Sequence, residues 1–173
     1  KNKKIKRILI TSGTTSSALV LSKYSFKKTI HKYFPIDTNY FSNQFIKYWD
    51  PKLAIFVESE IWPNMLKNLN KKNIPIILLN ARITKKSFHK WKKFSSFSKN
   101  LFNKISLALP QNLETYKYLK ILGTKNIKFA GNLKYYGKKK YQKNTSLIKN
   151  FKNKEIWCAA STHENEELLI GKV

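Results

Sequence analysis

The chain has 173 residues, of which 42% are hydrophobic and 14% aromatic, which is enough apolar material to bury one core and too much for a disordered tail. Its 35 Lys and Arg stand against 9 Asp and Glu, a formal net charge of +26, and such a field attracts nucleic acid, an anionic membrane or a phosphorylated substrate. A single cysteine, Cys158, excludes an internal disulfide and points to a reduced, cytosolic compartment, and the longest apolar stretches, such as 74–79, are far short of the roughly 18 residues of a membrane-spanning helix.

In chain order, residues 6–11 (KRILIT) read as a buried strand, followed by the small polar turn 12–17 and a short helix. Residues 52–57 (KLAIFV) form a second strand, entered through Asp50-Pro51. Pro63 suits the first turn of a helix running to about Lys72, where its missing N–H costs little. Residues 74–79 (IPIILL) are a third strand, with Asn80, Ala81 and Arg82 in the loop after it. One long helix is expected over 84–104, a short strand over 106–109, a helix over 113–122 closed by Gly123, and a strand over 126–130. Residues 135–143 (YYGKKKYQK) lack a period and suit a connection between domains or an exposed loop, and 155–160 (EIWCAA) starts a new strand. Cys158, in the middle of it, is expected to be a small buried apolar residue.

Strand and helix alternating about five times, with continuous apolar strands, is the pattern of a parallel sheet with helices on both faces. Ligands of such sheets bind beyond the carboxyl ends of the strands. The polar residues there are Ser12, Gly13 and Thr14, then Glu58 and Glu60, then Asn80 and Arg82, then Gln111 and Asn112, then Lys134, then Ser161, Thr162 and His163. They are the candidate substrate-binding set, and six polar turns in register exceed what one strand end would signify.

Glu58 and Glu60 draw attention because acids are scarce. One could face the cleft while the other caps the helix starting near Trp62. Lys134 could offset developing negative charge, although any loop of so lysine-rich a chain can hold a lysine. The expected helix at 84–104 carries Phe88, Trp91, Phe94, Phe97, Leu101 and Phe102 at spacings of mostly three and four, with lysines on the remainder. That pattern suits a core-facing amphipathic helix, or alternatively an interfacial helix on an anionic membrane. The lysine excess itself accompanies abundant Asn, Ile, Phe and Tyr, the mixture an A+T-rich genome imposes on any protein. Only Arg7 and Arg82 are arginine, which speaks against sequence-specific nucleic-acid binding. His31, His89 and His163 are widely separated and suggest no metal site. Ser161-Thr162-His163-Glu164 has the form of a capping box, whose free N–H groups could meet a phosphate. Neither a dinucleotide-binding nor a P-loop motif is present.

Taken together, E-S-E-I-W-P-N at 58–64, N-A-R at 80–82, Q-N at 111–112, G-N-L-K at 131–134 and A-S-T-H-E-N-E-E at 160–167 resemble the 3-deoxy-D-manno-octulosonic acid (Kdo) transferase family of lipopolysaccharide synthesis. The resemblance covers nearly the whole chain. It implies a GT-B glycosyltransferase with two Rossmann-like domains. Residues 1–143 would be the acceptor-side domain without its first strand, and residues 144–173 a linker helix plus the first strand and helix of the nucleotide-sugar domain. It further implies inverting transfer of Kdo from CMP-Kdo, with no cofactor, to a tetra-acylated, bisphosphorylated lipid A precursor. The place implied is the anionic cytoplasmic face of the bacterial inner membrane. Glu58 matches a family carboxylate assigned to transition-state stabilisation, and Lys134 the family's stabilising lysine. The family's general base, a Glu in a glycine-containing turn after the first strand, has no counterpart in the chain. A chain starting without Met and stopping inside an apparent helix is expected to be a fragment, inactive alone. A GT-B transferase using another nucleotide sugar, a basic RNA-binding module on a Rossmann-like scaffold, and a membrane-surface scaffold without chemistry are the alternatives.

Overall fold

A computed structural model of the chain describes residues 5–24 and 26–136, which belong to one compact unit ending at Tyr136. The expected strand at 155–160, Cys158 within it, the capping box at 161–164 and the expected domain boundary at 143 lie outside the described residues, as does the connecting stretch from 137.

The apolar run at the start of the chain forms β1 (Ile8–Ser12), and the Thr14 hydroxyl then accepts the Ser17 N–H to open α1 (Thr15–Ser22). A second strand, β2 (Thr29–Tyr33), pairs parallel with β1, with Ile10 opposite His31. Thr38 caps α2 (Asn39–Trp49), and Asp50 ends it in the left-handed conformation (φ 39°). Next come β3 (Ala54–Val57), α3 (Pro63–Lys71) with Pro63 in its first turn, and β4 (Ile76–Ala81). Two helices follow, α4 (Lys85–Lys93) and α5 (Ser95–Phe102), then β5 (Leu107–Pro110) and α6 (Leu113–Leu122). Gly123 closes α6 at φ 104°, and a one-turn 3-10 helix spans Leu133–Tyr135.

All pairing is parallel, and among the described residues it falls into two sheets, β1-β2 and β3-β4-β5. Strands joined by crossover helices give the expected Rossmann-like α/β architecture. The core surrounds β4, whose Ile76 and Leu78 are buried against Met65, Leu66 and Leu69 of α3, Leu101 and Phe102 of α5, and Leu119 of α6. Ile46 of α2 and Phe88 of α4 also belong to it. On β3, by contrast, Ile55 and Val57 are about half exposed while Phe56 is buried. No helix among the described residues is long and apolar enough to cross a membrane.

Three expected elements differ. The single helix at 84–104 breaks at Phe94 (φ −108°, ψ 55°), where the Ser98 hydroxyl donates to the Trp91 carbonyl at 2.6 Å. The break lets both halves reach the core, Phe88 from α4 and Leu101 and Phe102 from α5. The apolar side of the segment therefore packs inward, although Phe94 is exposed. The strand at 126–130 reduces to one parallel bridge between Ala108 and Ile127. Asn80 and Ala81, expected in a loop, are the last residues of β4, with a register shift between Leu79 and Ala81.

Candidate active site

The carboxyl edge of the β3-β4-β5 sheet is tied down by the backbone before any side chain contributes. Glu58 follows β3 in the left-handed conformation (φ 60°). Its N–H donates to the Leu79 carbonyl at 2.9 Å and its carbonyl accepts the Arg82 N–H at 3.2 Å. The Ser59 hydroxyl donates to the Arg82 carbonyl at 2.8 Å, so residues 58–59 are strapped to 79–82 at three points. A non-glycine residue at positive φ carries strain, and this strapping is what holds Glu58 there.

Lys134 arrives from 76 positions later in the chain. Gly131 (φ 73°) turns the chain, and the Asn132 side chain caps the 3-10 helix by accepting the Lys134 N–H at 3.0 Å. The Lys134 Nζ then stands 3.0 Å from Glu58 Oε1. The two residues singled out from separate turns therefore meet. The pair is not buried: the lysine side chain is 70% exposed and the glutamate 35%. Exposed pairs of this kind contribute on the order of 0–1 kcal/mol, so an entering ligand can separate the two charges at little cost.

Beside this pair lies an open cavity of about 460 Å³ whose lining includes Arg82, Lys85, Gln111, Asn112, Asn132 and Lys134. Two helices begin at its wall: Thr84 caps α4 by accepting the Ser87 N–H at 3.2 Å, and Asn112 caps α6 by accepting the Thr115 N–H at 2.8 Å. Glu114 also lines the cavity and accepts a hydrogen bond from the Tyr118 hydroxyl at 2.6 Å. That bond, with the nearby carboxylate charge, raises the Tyr118 phenol above its ordinary value of 10.0.

Of the residues marked out by sequence, Glu58, Arg82, Gln111, Asn112 and Lys134 are thus brought to one place. The others are not. Glu60 turns aside to accept the Trp62 indole N–H at 2.6 Å and does not cap α3. That end is capped by Asp37, which sequence reasoning missed: its two carboxylate oxygens accept the N–H groups of Asn64 and Met65 at 3.1 and 2.8 Å. Ser12 bonds His31 Nε2 at 2.9 Å between β1 and β2, Thr14 is the α1 cap, and Gly13 lies between them. Asn80 is buried, its side chain engaged with the backbone of Leu133. Ser161, Thr162 and His163 lie outside the described residues. Thr84 and Lys85 were not marked either; the signal for Thr84 was its place as the cap of a helix opening on the same edge.

Residues 1–136 match the family described as 3-deoxy-D-manno-octulosonic-acid transferase (kdotransferase). The chain is 37% identical over 168 residues to the 3-deoxy-D-manno-octulosonic acid transferase of Rickettsia bellii, an overlap of 95% of this chain and 40% of that protein. It is 34% identical over 152 residues to the Haemophilus influenzae protein of the same name, covering 82% of this chain and 35% of the relative. It is 32% identical over 178 residues to a bifunctional glycosyltransferase/methyltransferase of Fusobacterium nucleatum, covering 95% of this chain and 27% of the relative. The chain thus spans about 40% or less of the length of these curated relatives.

Proposed function

The chain belongs to the Kdo transferase family, and on that premise we propose that the protein carrying it transfers Kdo from CMP-Kdo to a phosphorylated lipid A precursor, with this chain supplying the acceptor side of the cleft. The observation that carries the reading is the Glu58–Lys134 pair, 3.0 Å apart beside a cavity lined by Arg82 and Lys85. As the bond between the Kdo anomeric carbon and the CMP phosphate breaks, positive charge grows on the sugar and negative charge on the departing phosphate. A carboxylate offsets the first and an ammonium the second, provided both are held in place before the reaction. Glu58 is assigned the former role and Lys134 the latter. Arg82, Gln111 and Asn112 are assigned to hold the anionic acceptor or donor, through charge-assisted bonds to phosphate.

Removal of the proton from the acceptor hydroxyl is assigned to no residue of this chain, because the family's glycine–glutamate turn has no counterpart within residues 1–173. The nucleotide-binding half is likewise assigned to sequence other than residues 1–143, with 144–173 its opening portion. The 35 basic residues suit a substrate carried at an anionic membrane surface, since each lysine near such a surface contributes about 1 kcal/mol.

The test is an assay of the full-length protein with CMP-Kdo and the tetra-acylated precursor, read by the mass of the glycolipid product. Wild type should yield Kdo-bearing lipid. Glu58→Gln and Lys134→Ala should each lower kcat at least tenfold, about 1.4 kcal/mol of barrier, with the melting transition retained. A wild-type protein that forms no product from CMP-Kdo, or variants with unaltered kcat, would overturn the reading.

A further inference from the structure

Lys134 sits on a short surface turn, and nothing within that turn explains why its ammonium stands at Glu58. The 3-10 helix carrying it has three residues, Leu133–Tyr135, and the bonds from Asn132 and Tyr136 that shape it stay within residues 130–136, so they tie the turn to itself and not to the sheet. Its first amide, that of Leu133, has no partner inside the helix, as at any helix start. The amide instead donates to the side-chain oxygen of Asn80 at 3.1 Å, across 53 positions of sequence.

Asn80 is unusual in three respects. It is 4% exposed, a buried amide in an otherwise apolar strand. Its backbone is left-handed (φ 50°), a conformation that asparagine tolerates better than most residues. It is also the extra residue at the irregularity between Leu79 and Ala81, so it lacks a counterpart in the β4–β5 register. A residue freed from the ladder and turned through positive φ, with a buried polar side chain, is a costly arrangement. The bond to Leu133 gives that cost a return, because the next residue of the turn is Lys134, and Glu58 is bonded to Leu79, which precedes Asn80, and to Arg82, two positions after it.

We propose that Asn80 is the positioning residue for Lys134: its side-chain oxygen, presented by the irregularity in β4, fixes the 133–135 turn so that the lysine ammonium meets Glu58. This goes beyond the substrate contact expected of Asn80, and its catalytic consequence rests on the transferase reading above. A ligand entering the site changes the partner of the ammonium without changing where the turn stands, because the anchor is on the backbone of Leu133.

The test separates the anchor from the chemistry. In the unmodified protein, the Leu133 amide should exchange with solvent at least tenfold more slowly than an unbonded amide; exchange at the unbonded rate overturns the proposal without any variant. Asn80→Gly keeps the left-handed backbone and removes the acceptor, whereas Asn80→Asp keeps both. The Gly variant should lose the Leu133 protection and at least tenfold in kcat, with KM within about twofold, and the Asp variant should restore protection and most of the turnover. Equal losses of kcat in the two variants, or protection retained in Asn80→Gly, would sink it. If the wild-type protein fails to transfer Kdo, the transferase reading fails, while the exchange measurement still decides whether Asn80 holds the turn.

Discussion

At the scale of single residues, the two carboxylates that sequence reasoning weighed together, Glu58 and Glu60, part company, and a third does the work expected of one of them. Trp62, at the start of α3, has no side chain able to cap it, and Asp37 supplies both acceptors from 27 and 28 positions away. A carboxylate there also meets the positive end of the helix dipole. Asp37→Ala should therefore destabilise the fold by about 1–2 kcal/mol, seen as a lower urea midpoint with an unchanged slope, and Asp37→Asn by less. A midpoint within error of wild type would show that water replaces the cap fully. Such a cap is invisible to a search of the helix's own first residues, because its donor and acceptors meet only through the tertiary fold. Glu58 was legible for the opposite reason, since it follows β3 directly and the carboxyl end of a parallel strand is a local feature; Lys134 follows only the bridge at Ile127, and the G-N-L-K stretch at 131–134 is what marked it. A second residue-scale outcome follows from Tyr118. Its raised phenol gains stability from the bond to Glu114 below about pH 10, and this is lost as pH rises through the folded value. Glu114→Gln should bring the phenolate titration, followed by ultraviolet absorbance, back down towards 10.0.

Local signals at element ends made some elements legible and not others: α2 was not expected, although Thr38 caps its start and Asp50 ends it in the left-handed conformation. The helix α6 occupies the residues expected of it because Asn112 and Gly123 act within one turn of its ends. Gly123 is required twice over: its φ is 104°, and a Cβ there would stand 3.0 Å from Lys99 Cα and 3.1 Å from the Lys99 carbonyl oxygen, both backbone atoms of α5. Gly123→Ala should cost at least about 1–2 kcal/mol from the left-handed backbone alone, with the contact on α5 adding to it. A melting temperature unchanged by this substitution would contradict the close approach of α5 and α6. Where the signal is not local, the sequence misleads. Apolar spacings of three and four run on through Phe94, yet the chain breaks there, and the core takes Phe88 from α4 and Phe102 from α5. The strand β2 (TIHKY) lacks a continuous apolar run, since it lies at the rim of a two-stranded sheet and leaves Lys32 and Tyr33 exposed. The irregularity at Asn80 is equally silent, because it depends on pairing with β5.

For the whole molecule, the dominant fact is a net charge of +26. Among the described residues two ion pairs form, Lys52–Asp50, which is largely exposed, and Lys134–Glu58, which is partly so. The Lys52 bond holds the Asp50 carboxyl below its usual range, yet a pair so open to water adds little to stability. Repulsion among lysines is consequently the larger electrostatic influence on the fold, and it acts over distances that salt controls: the screening length is about 30 Å at 0.01 M and about 8 Å at 0.15 M. Raising sodium chloride between those concentrations should therefore raise the melting temperature, by roughly 2–4 °C for each kcal/mol of repulsion relieved in a chain of this size. A protein held together by its ion pairs would respond in the reverse sense, and a fall in melting temperature would show that attraction outweighs repulsion here. The same salt series, run with vesicles containing anionic lipid and with purely zwitterionic ones, separates two origins of the lysine excess. Lysines selected for a membrane-borne acceptor should give binding to the anionic vesicles that weakens steeply with salt. Lysines that merely follow base composition should leave both vesicle types unbound at 0.15 M, while the rise in melting temperature persists.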